Sequence, residues 1–488
     1  MRAHGGHGGW GWFAAFAAVF IAGTVLTRAA VDTVRTDVGT VIAGPAAGGV
    51  TAFLGVPFAS PPLGDLRWRP PQPLVPRNAH WKADQFATSC MQNQPGSRLP
   101  WTEEFMTQGP IGEDCLYVNV WTPAKKADAR LPVMFWIYGG AFNEGSSSIA
   151  VYNGAELAKK GVVVVTANYR VGPLGFLAHP ELTKEAGTSG NYGLLDQIAA
   201  LRWVQKNIAG FGGDPRQVTI FGQSAGAMSV AALMRSPLAK GLFARAIAQS
   251  GPGLFGPNAL GASSKLRDRE ASGVKFAQAL GASSLAALRG LPATAFYGAA
   301  APPFAGGLFN DGVVLPEQPP SDQVPLMVGF VADDLGVGGS SAGASATVDT
   351  TPEQKAAARE RARVAMHAWA ASQLPASKKI YTYFFDRAIP WPDHPEFGAF
   401  HSSEIPYVFN TLTRLKRPWE PVDRRLADTI SSYVVNFAKK GDPNGQGLPP
   451  WPAYDPASHT TMQLGARVGP MDLAEPSRLS QLLGEVKE

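Results

Sequence analysis

A serine hydroxyl becomes a useful nucleophile only when a sharp turn lifts it clear of the backbone and a base takes its proton. Gly222-Gln223-Ser224-Ala225-Gly226 has the residues for such a turn, with a glycine two positions away on either side and alanine next to the serine. A bare G-x-S-x-G is weak evidence, but here the β-type run Val218 to Phe221 leads into it and Ala227 to Leu233 continues as a helix. A strand before, a helix after and small flanking residues are what a strained strand-to-helix turn requires. The chemistry this permits is acyl transfer through Ser224. The N–H of Ala225, at the positive end of that helix, would face the charge that develops on a substrate carbonyl oxygen. A second apolar run ends in Tyr138-Gly139-Gly140-Ala141-Phe142. Consecutive glycines let backbone N–H groups approach a ligand, so Gly139 and Gly140 are further candidate donors of an oxyanion hole.

Histidine is the side chain whose pKa suits a general base at neutral pH. The chain order serine, acid, histidine that accompanies this kind of turn removes His4, His7, His80 and His179 from the eight histidines. His367 falls on a helical pattern, where packing is expected, His394 is wedged between Asp393 and Pro395 in an exposed turn, and His459 lies near the C-terminus. His401, in Gly398-Ala399-Phe400-His401-Ser402-Ser403-Glu404, has small neighbours that permit close approach and is favoured. The acid should close a buried strand between serine and histidine, where a carboxylate fixes the imidazole tautomer. Leu326 to Phe330 is followed by Asp333 and Asp334, and spacing alone does not choose between them.

These residues need a scaffold. Leu116 to Trp121, Val133 to Tyr138, Val162 to Asn168, Val218 to Phe221, Ala244 to Gln249, Leu326 to Phe330 and Ile380 to Phe385 are short, nearly continuous apolar runs. Continuous runs fit strands buried on both faces of a parallel sheet. Helical spacing from Leu194 to Ile208 and from Glu353 to Gln373 alternates with them, which predicts a doubly wound α/β class. Ahead of these, Val41 to Ala43 and Val50 to Phe58 read as an antiparallel ribbon. Residues 252–320, rich in Gly, Ala and Pro, read as an insertion over the sheet edge.

Composition narrows the function classes. The chain has 488 residues, 45% apolar and 17% charged, with 43 Lys+Arg against 38 Asp+Glu for a net +5. That supports a large core and excludes a disordered chain. Five surplus charges over this length make no patch able to track phosphates, so nucleic acid is not an expected partner. The 54 glycines and 41 prolines imply many shaped loops. Residues 1–29 hold Arg2, Arg28 and the apolar stretch Trp10 to Leu26, and read as a secretory signal peptide or an N-terminal anchor. The chain is therefore expected to be exported, secreted or periplasmic, with no other membrane partner. In that setting Cys90 and Cys115, the only two cysteines, are expected to form a structural disulfide. Its loop would contribute about 3 kcal/mol through the unfolded state. No third soft ligand accompanies them, so no metal is expected.

Together these segments resemble the type B carboxylesterase family, the group with cholinesterases and bacterial para-nitrobenzyl esterases. The resemblance rests on Gly55 to Pro62, Glu113 to Asn119, Asn168 to Phe176, Gly190 to Gln197, Phe211 to Pro215, Gly222 to Gly226, His401 to Phe409, Gly441 to Asn444 and Trp451 to Tyr454. It implies an α/β-hydrolase fold, with residues 30–488 as one domain. It also implies Ser224 as nucleophile, His401 as base and Asp334 as acid, with Gly139, Gly140 and Ala225 as the oxyanion hole. Ser250 and Glu404 are implied as supports behind the acid and base, and the Cys90–Cys115 disulfide is implied again. Asp334 stands where the family usually has Glu, Leu335 where it usually has Gly, and Ala141 replaces the third glycine of the oxyanion loop.

The expected reaction is hydrolysis of a small-molecule carboxylic ester through an acyl-enzyme, with no metal or organic cofactor. A thioester or amide substrate for the same triad, and a non-catalytic binding module of the same fold, are the alternatives. Phe142, Phe304 and Phe309 are candidates to line an apolar pocket. Trp101, in the loop between the cysteines, reads as a packing aromatic. Oligomeric state is not readable.

Overall fold

A computed structural model describes residues 31–37, 39–75, 80–94, 96–251, 265–304, 306–317, 324–335, 351–373 and 379–485. The leader, and residues 252–264, 305 and 318–320 of the expected insertion, lie outside the described residues.

Ten strands build the central sheet: β1 (Thr51–Pro57), β2 (Tyr117–Thr122), β3 (Leu131–Ile137), β4 (Val163–Ala167), β5 (Gly213–Gln223), β6 (Arg245–Gln249), β7 (Leu326–Val331), β8 (Ile380–Phe385), β9 (Thr460–Leu464) and β10 (Val468–Asp472). Their spatial order is β10-β9-β8-β7-β6-β5-β3-β4-β2-β1. Every neighbouring pair from β9 to β4 is parallel, whereas β9–β10, β2–β4 and β1–β2 are antiparallel. All seven apolar runs form strands of this sheet. In β4, β7 and β8 every residue is buried, as strands covered on both faces must be.

The expected ribbon does not form. Gly39–Ala43 joins a separate three-stranded sheet with Thr33–Thr36 and His80–Ala83, while β1 pairs with β2 at the edge of the large sheet. The glycine-rich turn from Gly44 to Gly49 carries the chain from one sheet into the other. Strand β10 forms the opposite edge with β9 beside it, and they carry half-exposed Thr460 and Gln463 and exposed Asp472, so no continuous apolar run announces them.

The longer helices are α1 (Tyr192–Asn207), α2 (Ala225–Arg235), α3 (Leu266–Ala279), α4 (Pro352–Ser372), α5 (Pro421–Lys440) and α6 (Pro476–Glu485). Helix α4 starts where Thr351 and Gln354 close a reciprocal capping box around Pro352. Within the expected insertion, α3 and Leu285–Gly290 bury Phe276, Leu285 and Leu288 against Leu177 and Leu182, a second, smaller apolar cluster.

Two buried devices fix the strand ends that carry the site. Arg170, just past β4, clamps Asp196 on α1 with Nε and Nη2, each at 2.8 Å, and its backbone N–H adds a third bond at 3.0 Å. This fork-to-carboxylate geometry gives direction as well as energy. Tyr138 and Tyr169 stack at 4.3 Å, and each hydroxyl donates to the other's carbonyl. The ends of β3 and β4 are thereby held side by side, and the carboxyl ends of parallel strands are where open α/β sheets place their sites.

Candidate active site

Ser224 follows β5 with φ 57° and ψ −123°, a conformation that non-glycine residues rarely adopt. Its neighbours over-determine it. The Ser224 N–H donates to Gln249 O at the end of β6 (2.9 Å), and its carbonyl accepts from Met228 N in α2 (2.9 Å). A Cβ on Gly226 would meet Ile137 O at 2.0 Å, and one on Gly222 would meet Gly226 O at 2.6 Å. Strand β5, helix α2 and strand β3 thus pass so closely that both flanking positions require glycine. The half-exposed serine lies in an open cavity of about 110 Å³.

Gly139 and Gly140 line the same cavity. A Cβ on Gly139 would lie 2.7 Å from Gln223 O and 3.0 Å from Ser224 Cβ, so this loop runs directly against the nucleophile turn. Gly140 has φ +112°, and its carbonyl accepts from Asn143 N and Glu144 N to close a tight turn. Ala141 adopts φ 52° in that turn. Ala225 is buried at the first position of α2, where a backbone N–H has no acceptor within its own helix.

His401 and Asp334 meet across 67 residues, with Nδ1 and Oδ1 2.5 Å apart and both side chains buried. An ionised Asp334 accepts the Nδ1 proton, which leaves Nε2 as the ring's lone-pair nitrogen. Asp334 is itself fixed by the N–H groups of Val331 (3.2 Å) and Leu335 (2.8 Å). Asp333, the other aspartate that spacing left open, points elsewhere: it pairs with Arg359 and accepts from Ala399 N at 2.9 Å. His401 lines the cavity with Ser224. Gln223, next to the serine, places its amide nitrogen 3.2 Å from His401 Nε2 and 3.4 Å from Nδ1, and its oxygen accepts from Ser402 Oγ at 3.2 Å. The sequence reading did not single out Gln223.

The loop closed by the Cys90–Cys115 disulfide covers this pair. Gln92 ties the loop to the oxyanion side through both the N–H and the carbonyl of Gly145, each at 2.8 Å. On the other side, Trp101 Nε1 donates to the His401 carbonyl at 3.0 Å, and Phe105 packs edge-on against Phe400 at 5.8 Å. Trp101, read from sequence as packing, is a cavity-lining residue that holds the histidine's backbone. The signal available was its place inside the disulfide loop.

The expected pocket phenylalanines need correction. Phe142, Phe304 and Phe309 do not line the cavity. Phe142 packs on Phe176, Phe304 on Phe276, and the fully buried Phe309 ring fills the space beside Gly190. The apolar lining comes instead from Trp101, Phe105, Met106, Ile149, Tyr152 and Leu335. Ser250 is buried at the end of β6 with its hydroxyl unbonded, so it makes no hydrogen bond to Asp334. Glu404 is buried with both carboxyl oxygens unbonded, and burial together with the Asp334 charge pushes its pKa up to about 8. His394 pairs with Glu396 at 3.0 Å in an exposed turn. Among the described residues no cluster of His, Cys, Asp and Glu could hold a metal ion.

Known proteins resemble this chain along most of its length. The sequence pattern of the carboxylesterase family matches residues 31–361 and 361–477. Over 481 residues the chain is 37% identical to the fumonisin B1 esterase of Sphingopyxis macrogoltabida, covering 86% of this chain and 84% of that one. Over 469 residues it is 35% identical to the para-nitrobenzyl esterase of Bacillus subtilis strain 168, covering 88% and 94%. A solved thermophilic PNB esterase superposes with a TM-score of 0.77 at 32% identity, and another PNB esterase structure with 0.75 at 31%. Each covers 93% of this chain, and they account for 100% and 99% of their own. With its mixed sheet, the turn at Ser224 and these matches along most of its length, the chain is an α/β-hydrolase that belongs to the carboxylesterase family.

Proposed function

We propose that the chain hydrolyses carboxylic esters through an acyl-enzyme on Ser224, with His401 as general base and Asp334 as the carboxylate that orients it. The observation that carries this reading is the buried His401–Asp334 contact of 2.5 Å beside a serine held in a strained turn within one cavity. His401 Nε2 takes the Ser224 proton as Oγ adds to the ester carbonyl, and the imidazolium is stabilised by Asp334. The N–H groups of Gly139, Gly140 and Ala225 receive the oxyanion. His401 then gives its proton to the departing alcohol, activates a water against the acyl-enzyme, and the acid leaves with Ser224 restored. The esterase names of the relatives support an ester as the substrate. Export is part of the same proposal, supported by the Arg-flanked apolar leader and by a disulfide that needs an oxidising compartment.

Replacing Ser224 by Ala tests the mechanism. The variant should keep the wild-type circular dichroism spectrum and lose at least about 10⁴-fold in kcat on para-nitrophenyl esters. Activity within tenfold of wild type would contradict the proposal.

A further inference from the structure

Beyond the reaction type, the cavity carries a charge pattern that bears on the substrate. Arg98 lies at its edge, with its guanidinium 5.5 Å from the centre of the Trp101 ring. The two residues close a turn through reciprocal backbone bonds of 2.8 Å. Trp101 is in turn bonded to the His401 carbonyl, so the cation stands one indole away from the proposed base. One N–H of Arg98, on Nη2, donates to Glu144 Oε1 at 2.6 Å. Its other N–H groups have no acceptor among the described residues, and 42% of the side chain is exposed against 20% of Glu144. Asn93, on the same loop and also lining the cavity, has its carboxamide oxygen taken by Gly298 N at 2.7 Å, which leaves its amide N–H donors. This side of the cavity therefore offers spare donors on Arg98 and Asn93, beside an ion pair whose carboxylate, Glu144, also lines the cavity.

We infer that the cavity is built for esters that carry a free carboxylate on the acyl or alcohol part, seated on Arg98. This rests on the esterase reading above and names its substrate class. A guanidinium presents paired N–H groups that match a carboxylate. Stacking on Trp101 and the single bond to Glu144 hold the fork in place before a ligand arrives, which lowers the ordering cost of binding. Glu144 uses one oxygen and one of the guanidinium N–H groups, so a second carboxylate can occupy an open edge.

The test compares kcat/KM for monomethyl and dimethyl esters of the dicarboxylic acids from succinic to suberic, followed by acid release, together with a methyl ester bearing a trimethylammonium group. At the best chain length the half-ester should be favoured over the diester by roughly ten- to hundredfold, the range of a hydrogen-bonded charge pair. Arg98→Gln should reduce that ratio at least tenfold, and Glu144→Gln should raise it. Diester hydrolysis with no half-ester preference at any length, a ratio unchanged in Arg98→Gln, or preference for the trimethylammonium ester would each overturn the inference while leaving the esterase reading intact. Hydrolysis of none of these esters while para-nitrophenyl esters are turned over would overturn the inference alone, and hydrolysis of neither set would overturn both.

Discussion

The two halves of the site are built in opposite ways. Ser224 is the single residue between β5 and α2, and its geometry is set by the close passage of glycines 222 and 226 against Gly226 O and Ile137 O. His401 and Asp334 come from two loops, and a third, disulfide-closed loop holds the histidine through Trp101. The proposed nucleophile is thus positioned by contiguous sequence and the sheet's own packing, the proposed base and acid by contacts between distant segments. A fault on the first side should abolish chemistry outright. Faults on the second should grade with the contact removed.

The largest effect on the second side is expected from the acid. Asp334→Asn should lower kcat about 10³- to 10⁴-fold, because an amide can present its N–H to Nδ1 and favour the wrong tautomer. Asp333→Asn, one position away, should instead mainly lower the melting temperature through the lost Arg359 pair. Equal losses of kcat in the two variants would show that the acid side is not divided as the contacts indicate.

A smaller loss separates the clamp from the triad. Trp101→Phe keeps an aromatic ring but removes the N–H that holds the His401 carbonyl. One hydrogen bond is worth about 1 kcal/mol, so kcat should fall about fivefold. An unchanged kcat would mean that the loop covers the base without positioning it.

The smallest effect expected on turnover concerns Glu404. Its pKa in the folded protein, about 8, lies above the ordinary value of 4.5. Between those values the folded state holds a proton that the unfolded chain has released, so its contribution to stability is full below about pH 4.5 and lost as pH rises to about 8. Glu404→Gln, which cannot ionise, should gain in melting temperature relative to wild type across that window, by a few degrees, with little change below it. A difference independent of pH would contradict the buried, unbonded carboxyl.

What was legible in the sequence follows the same division. The strained turn at Ser224, the glycine turn packed against it and seven strands could be read because each is a local pattern: flanking glycines, or a continuous apolar run that two-sided burial demands. The histidine could be narrowed to His401 by chain order and neighbours. The choice between Asp333 and Asp334 could not be made from spacing, since it depends on which carboxylate comes to face the Ala399 N–H and which the His401 ring. Only the family resemblance indicated Asp334. The pocket aromatics failed for a related reason. Phe142, Phe304 and Phe309 lie in or near the right loops, but each ring turns toward other packing partners, while Phe105 and Trp101 are brought in by a loop whose path the disulfide and Gln92 decide. Strands β9 and β10 carry no continuous apolar run, β10 because it is an edge strand and β9 because Thr460 and Gln463 interrupt it, so the pattern does not announce them.

Trapping the covalent intermediate tests the central claim most directly. The intact enzyme, treated with a fluorophosphonate at stoichiometric concentration, should gain one adduct, lose its esterase activity in parallel, and yield the label on the peptide that carries Ser224. The same treatment of His401→Ala should label far more slowly, because the hydroxyl has lost its base. An adduct on any other residue that accounts for the loss of activity, or full activity after Ser224 is labelled, would contradict the account.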